Sequence, residues 1–264
     1  MHKIITAMSK GVCQLSVIPL RSEPNSKSEL VSQMLFGETY DVLEEAVDWV
    51  KIKTDSDNYI AWISQNQFVP WAEKYENIYV LKVFPFAIGT NLLNNETCYF
   101  LPGSLLHQHE FNDFHSTFKI NHIPYKINYQ EKASELSSKF TLLEWANLFK
   151  NTPYLWGGRT FLGIDCSGYT QLLFKLIGYQ LPRDAYEQAE LGELIPLLHE
   201  SILGDLAFFG NETGKIIHVG LIIGNGEIIH ASGKVRVDIL DSYGIYNEKE
   251  GKHTHKLKCV KRLF

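Results

Sequence analysis

The sequence predicts an α+β protein, in which two small β-barrels precede a domain of helices packed on an antiparallel sheet. Three observations predict it. Strand-length apolar pieces broken by polar turns fill residues 10 to 128. After residue 130 the texture changes to helix-permissive and amphipathic runs. Two apolar strands joined by a tight turn then follow, in IIHVGLIIGNGEIIHASG. Helices first and antiparallel strands after make an α+β domain.

The bulk properties set limits. A chain of 264 residues, 45% hydrophobic and 21% charged, can form one large domain or two to three small ones. The net charge is −5 with no basic block, so a nucleic-acid footprint is absent. No apolar run approaches the roughly 18 residues of a membrane span. The opening MHKIITAMSKGVCQL has a short apolar patch and no small-residue cleavage site. A cytoplasmic location is therefore expected if this N-terminus is native, and a periplasmic or cell-surface one if an export signal has been removed. A monomer without cofactor is expected.

The first module is expected over residues 1–73. VCQLSVIPL is apolar and β-branched, and RSEPNSKSE is a polar loop. ETYDVLEE, DWVKIKT and YIAWIS are strand-length, and the TDSDN turn makes a hairpin of the last two. A second module is expected over 74–130, with YVLKVFPFAI, TCYFLPGSLL and STFKINHIPYKI as its strands. The third domain is expected over 131–264. EKASELSS is helix-permissive. TLLEWANLFK begins at Thr141, with Glu144 three residues on, a capping-box pattern. Pro153 is expected to stop that helix. In GIDCSGYTQLLFKLIG, Leu172, Leu173, Leu176 and Ile177 recur at helical spacing, so Cys166 lies where a loop enters a helix.

Cys166 raises the question of chemistry. The four cysteines, Cys13, Cys98, Cys166 and Cys259, are widely spaced with no CxxC pair, against a zinc ribbon or redox motif. Four free thiols are the simplest reading, at most one of them special. A helix N-terminus or a nearby imidazolium lowers a thiol's pKa. His218 and His230 flank the Gly224-Asn225-Gly226 turn, each six residues from Gly224. Such symmetry places them across the hairpin or nearly so, on one face. A thiol, an imidazole and an orienting group form a nucleophile–base–orienter set. Taken alone, a cysteine before a helix is inert packing and a strand histidine a satisfied core residue; their conjunction points to a cysteine hydrolase.

These residues resemble a known family. TPYLWGGRTFLGIDCSGYTQ, LPRDAYEQ, GDLAFFG and HVGLIIGNGEIIHAS, in order over about 110 residues, resemble the NlpC-type peptidases, papain-like cysteine peptidases that cut bacterial cell-wall peptides. The two β modules resemble bacterial SH3-type domains, the first more closely, through SELVSQMLFGE and DNYIAWIS. The arrangement is similar to the γ-D-glutamyl-L-diamino-acid endopeptidases (dipeptidyl-peptidase VI). The resemblance implies that Cys166 is the nucleophile, His218 the general base and His230 the third polar residue. It places Tyr154 near the oxyanion. It implies that Asp165 meets the free L-Ala ammonium of a small peptide and that Ser167 bonds the D-glutamate α-carboxylate. Glu38 and Tyr59 of the first module would form the wall that limits the substrate to two residues before the cut.

Bland readings stand beside these. Asp165 serves equally as a helix N-cap, Tyr59 and Trp62 as barrel packing, and Arg183 with Asp184 as a surface ion pair. Gly157 and Gly158 read as a turn that lets backbone approach the site. Ala185 stands where many relatives carry a small hydroxyl residue. His107, His109, His115 and His122 crowd the second module, but their spacing fits no standard metal site, and a solvated loop is the expectation. The resulting expectation is a cysteine endopeptidase acting on the γ-D-glutamyl–diamino acid bond of peptides with a free N-terminal L-Ala, in muropeptide turnover or recycling. An amidase or acyltransferase on the same scaffold, and a peptidoglycan-binding protein with a spent peptidase domain, remain the alternatives.

Overall fold

Alternating burial along short strands organises the N-terminal half. The computed structural model describes residues 9–71, 78–111, 116–128 and 139–264. They fall into two units, divided between residues 134 and 135. The boundaries expected at 73/74 and 130/131, the EKASELSS run and His115 lie outside the described residues.

In the first unit, seven antiparallel strands run in the order Leu30–Leu35, Val17–Arg21, Ile60–Ser64, Trp49–Thr54, Thr39–Glu45, Lys10–Val12, Pro70–Trp71. The expected hairpin is present, with Val50 opposite Ile63 and Ile52 opposite Ala61. Its inward residues join Ile18, Leu20, Met34, Tyr40 and Val42 in one apolar cluster. A five-stranded sheet follows, in the order Thr97–Phe100, Ala87–Asn91, Ile123–Ile127, Ser116–Ile120, Glu110–Phe111. STFKINHIPYKI is a hairpin turned at Asn121 and His122, both at positive φ. Phe36 of the first module lies in the second module's core, 4.8 Å from Phe100 and 5.4 Å from Tyr125 by ring centroid. The two modules thus share packing within one unit.

The histidine-rich segment is not a solvated loop at His107. That ring is buried, with Nε2 2.7 Å from the Gly37 carbonyl oxygen. His109 stacks on Tyr79 at 4.8 Å, and His122 sits in the hairpin turn.

The second unit carries the helices α1 (Lys139–Leu148), α2 (Cys166–Leu176) and α3 (Ala185–Gln188). Thr141 lies inside α1 and is not its cap. The helix ends at Leu148, before Pro153, and the chain reverses through Asn151 at φ +69°. The strands of its main sheet are β1 (Glu193–Ile195), β2 (Leu206–Gly210), β3 (Ile216–Gly224), β4 (Glu227–Ser232), β5 (Lys234–Leu240), β6 (Gly244–Asn247) and β7 (Lys252–Arg262). The sheet order is β1-β7-β2-β3-β4-β5-β6, and β6 pairs with β7 again, so the strands from β2 to β7 close on themselves. The chain is mostly strand, with less helix than the α+β expectation implies. The helical part is concentrated at α2, which packs on β3 and β4 and presents Cys166.

Candidate active site

The start of α2 is built by local hydrogen bonds. Asp165 is the N-cap and accepts from the Gly168 N–H at 2.7 Å. Its second oxygen accepts from the Gly157 N–H at 2.8 Å, and Gly157 holds φ +76°. A Cβ on Gly158 would lie 2.4 Å from the Gly163 carbonyl oxygen. The two glycines therefore let the preceding loop lie against the helix start, as the sequence predicts. Cys166, first in the helix, has a backbone N–H with no partner four residues back.

Asp165 and Ser167 are not open to solvent. Arg183, 1% exposed, donates Nη1 to Asp165 Oδ1 at 3.0 Å and Nη2 to Oδ2 at 2.5 Å. It also donates Nη1 to Ser167 Oγ at 2.9 Å. The expected surface pair of Arg183 with Asp184 is thus corrected to a buried pair with Asp165. Both Asp165 oxygens are engaged within the protein, by the Gly157 and Gly168 N–H groups and by Arg183. A buried guanidinium needs a carboxylate, and Asp165 supplies it. Gln188, fully buried, accepts from Thr170 Oγ1 at 2.7 Å and donates to the Ser167 carbonyl at 3.1 Å, bracing the helix from α3.

The Cys166 sulfur accepts from the backbone N–H of Val219, the residue after His218, and from that of Ser167. Burial pushes its thiol up to about 12, and the Asp165 carboxylate adds to the rise. The Val219 N–H, the Arg183 guanidinium and the Ser167 N–H oppose it. Loss of water around the sulfur outweighs the helix terminus. His218 is held well below 6.5 by burial, with His230 and His255 adding to the effect, so burial favours the neutral form of both groups.

The two expected histidines do meet. His218 Nε2 lies 2.8 Å from His230 Nδ1. The hairpin turns at Asn225 and Gly226, both at positive φ, as a two-residue loop of the primed type requires. A bulge between Ile222 and Gly224 shifts the register, giving Leu221 opposite Ile229. Continued along the strands, that register sets His230 opposite Gly220 and His218 opposite Ser232, a diagonal pair on one face. Without the bulge, His230 would oppose Leu221 and face away from His218. A Cβ on Gly220 would lie 2.8 Å from His230 Cβ, so the absent side chain is what admits the imidazole.

The structure adds residues that the sequence reading missed. His230 Nε2 is 2.9 Å from Asp238 Oδ2, and Arg236 Nη2 donates to Asp238 Oδ1 at 2.6 Å. Burial acts to raise the Asp238 carboxyl, but the bonds from His230 and Arg236 outweigh it and hold the group below 3.8. His255 of β7 stacks on His218 at 4.2 Å with an interplanar angle of 28°. Burial, with His230 adding, lowers its pKa to about 4. For Asp238 the available signal was an acid inside the apolar strand VRVDIL. His255 gave no local signal, since only the return of β7 to the barrel brings it there.

Tyr154 is held at the loop by its N–H to the Gly233 carbonyl at 3.0 Å. Burial raises its phenol above 10.0; the charges of Cys166 and Asp165 add to this and that of Arg183 opposes it, so its hydroxyl shares their surroundings. Glu38 and Tyr59 belong to the first unit. The Glu38 carboxylate is buried and accepts from the Leu35 N–H at 2.8 Å. Tyr59 packs against the first module's apolar cluster, and its N–H donates to Thr54 Oγ1 at 2.9 Å.

Comparison with known proteins follows this division. Residues 151–255 match the NlpC/P60 family, and residues 20–68 match the bacterial dipeptidyl-peptidase SH3 domain. The chain is 29% identical over 260 residues to a protein of Bacillus subtilis named gamma-D-glutamyl-L-lysine dipeptidyl-peptidase, covering 88% of this chain and 81% of that one. It is 36% identical over 105 residues to a probable endopeptidase NlpC of Escherichia coli, covering 38% of this chain and 68% of that one. A crystal structure of an NlpC/P60 family protein from Bacillus cereus has the same fold. Its TM-score is 0.82 at 20% identity, over 96% of this chain and 99% of that one.

Proposed function

The chain belongs to the NlpC/P60 family, and on that premise we propose that it is a cysteine peptidase hydrolysing the γ-D-glutamyl–diamino acid bond of cell-wall peptides that carry a free N-terminal L-Ala, in muropeptide turnover or recycling. The observation that carries the bond assignment is the likeness, over most of both chains, to the gamma-D-glutamyl-L-lysine dipeptidyl-peptidase of Bacillus subtilis. The site supports the chemistry with a sulfur at a helix start, beside the strand that bears the first of two hydrogen-bonded imidazoles.

Cys166 attacks the γ-carbonyl carbon while His218 takes the thiol proton. The backbone N–H of Cys166 meets the developing oxyanion, with Tyr154 nearby. His218 then gives its proton to the departing amine of the diamino acid, leaving a thioester of L-Ala-γ-D-Glu on the sulfur. Water attacks the thioester as His218 takes its proton, and that proton returns to the sulfur when the dipeptide leaves. A neutral thiol–imidazole pair suits this course, because charge forms only as the sulfur attacks. Asp165, Ser167, Glu38 and Tyr59 are the residues we assign to substrate contact, and Asp165 also shapes the turn.

The test is chromatography of L-Ala-γ-D-Glu-L-Lys and L-Ala-γ-D-Glu-diaminopimelate, free and N-acetylated, with the native protein and Cys166→Ala. Release of L-Ala-γ-D-Glu from the free peptides, abolished in Cys166→Ala, is expected. Equal rates on the acetylated peptides would remove the free-amine requirement. No cleavage of any of them would overturn the reading.

A further inference from the structure

Two imidazoles in series leave open which nitrogens carry the protons. His218 offers Nε2 to His230, so Nδ1 is the ring nitrogen left for the thiol proton. It can take that proton only if it holds a lone pair. The geometry beyond His230 decides this.

We propose that Asp238 is a positioning residue that fixes the proton pattern of the whole relay, so that His218 Nδ1 is a base. The inference deepens the peptidase reading and rests on it. A carboxylate accepts and does not donate. At 2.9 Å from Asp238 Oδ2, His230 Nε2 must therefore carry the hydrogen. A neutral His230 then has a bare Nδ1, which at 2.8 Å accepts from His218 Nε2–H. A neutral His218 with hydrogen on Nε2 has its lone pair on Nδ1. Each step leaves one arrangement, and the reverse pattern would set an N–H toward the sulfur, unable to take its proton.

The surroundings hold Asp238 in the accepting state. Arg236 donates to its other oxygen at 2.6 Å and also to Asn247 Oδ1 at 3.2 Å, so the guanidinium is itself fixed. On the opposite side His255 stacks on His218 and lies 5.7 Å from His230 by ring centroid. When His218 takes the thiol proton, the positive charge is held through His230 by this one carboxylate, with no second proton transfer needed.

In Asp238→Asn the side-chain amide can donate to His230 Nε2. The hydrogens then reverse, and His218 carries its hydrogen on Nδ1. The experiment is nitrogen NMR of histidine-labelled protein at alkaline pH, alongside peptide kinetics. His218 and His230 are expected in the Nε2–H form in the native protein and in the Nδ1–H form in Asp238→Asn. The kcat is expected to fall by roughly a thousandfold to ten-thousandfold with KM within about threefold, the upper end being the loss when the orienting acid of a hydrolase triad is amidated. Asp238→Glu should recover the native tautomers and part of the rate. Unchanged tautomers in Asp238→Asn, or a kcat within tenfold of native, would overturn the proposal. Should Asp238→Asn not fold, the native tautomers alone decide: an Nδ1–H His218 sinks the idea. If the native protein cleaves no γ-glutamyl peptide, the peptidase reading fails while the tautomer result still judges Asp238.

Discussion

Arg183→Met tests the buried pair at the helix start. Arg183 makes two bonds to Asp165 and one to Ser167, and both charged side chains are nearly free of solvent, at 2% and 8% exposure. Methionine approximates the volume of the arginine stem but leaves the Asp165 charge buried with the Gly157 and Gly168 N–H groups and a long bond from the Ser167 hydroxyl, none of them charged. Stranding one member of a buried pair costs about 3–5 kcal/mol. With an m value of about 2 kcal/mol/M, the urea midpoint of the second unit should fall by roughly 2 M. Activity should fall with it, because Asp165 also fixes the loop that carries Tyr154 and Gly157. The double variant Arg183→Met/Asp165→Asn removes the stranded charge and should be more stable than Arg183→Met alone. The assay is urea unfolding followed by far-UV circular dichroism, with peptide hydrolysis in parallel. A midpoint within 0.5 M of native in Arg183→Met would refute the reasoning. A selective rise in KM with native stability in Asp165→Asn is the result expected of its ammonium-binding role.

Gly220→Ala should drive His230 away from its Cβ contact at 2.8 Å. It should cost about 1–3 kcal/mol in stability and more than tenfold in kcat; native kcat in a folded variant counts against the placement of His230. The Cys166 thiol, raised to about 12, should alkylate with iodoacetamide at a rate that climbs only above pH 9. A reactivity plateau near pH 6 would instead show a resting thiolate–imidazolium pair. The lowered pKa of His255, about 4, means that the neutral ring is favoured in the fold. Its contribution is complete above 6.5 and is lost as pH falls toward 4, where the unfolded chain binds the extra proton. Thermal melts of His255→Phe, which keeps an aromatic ring, should be flatter than native over that window, and identical pH slopes would discount the stack.

Much of the site was legible because its signals are local. The spacing of Leu172, Leu173, Leu176 and Ile177 marks α2, and Asp165 three residues before Gly168 marks its cap. Asn225-Gly226 marks a primed turn. The capping box at Thr141 misled because the helix had already begun by Lys139. Arg183 reads as a surface charge beside Asp184, and nothing within a few residues of it announces that Asp165 is its partner. For Cys166 the sequence shows the helix terminus and the imidazoles but gives no measure of burial, which pushes the thiol up.

The sequence by itself determined where the nucleophile stands, what kind of helix presents it and which two histidines accompany it. Caps, turns and apolar periodicity act over three or four residues and depend on no distant contact. Only the tertiary structure decided that His218 and His230 share a face, since one extra residue in β3 reverses the direction of every side chain beyond it. It alone brought Asp238, Arg236 and His255 to them, because those positions are set by strand pairing and by the return of β7 to the sheet. It also set the burial of the thiol, because exclusion of water is a property of the packed whole and not of any segment.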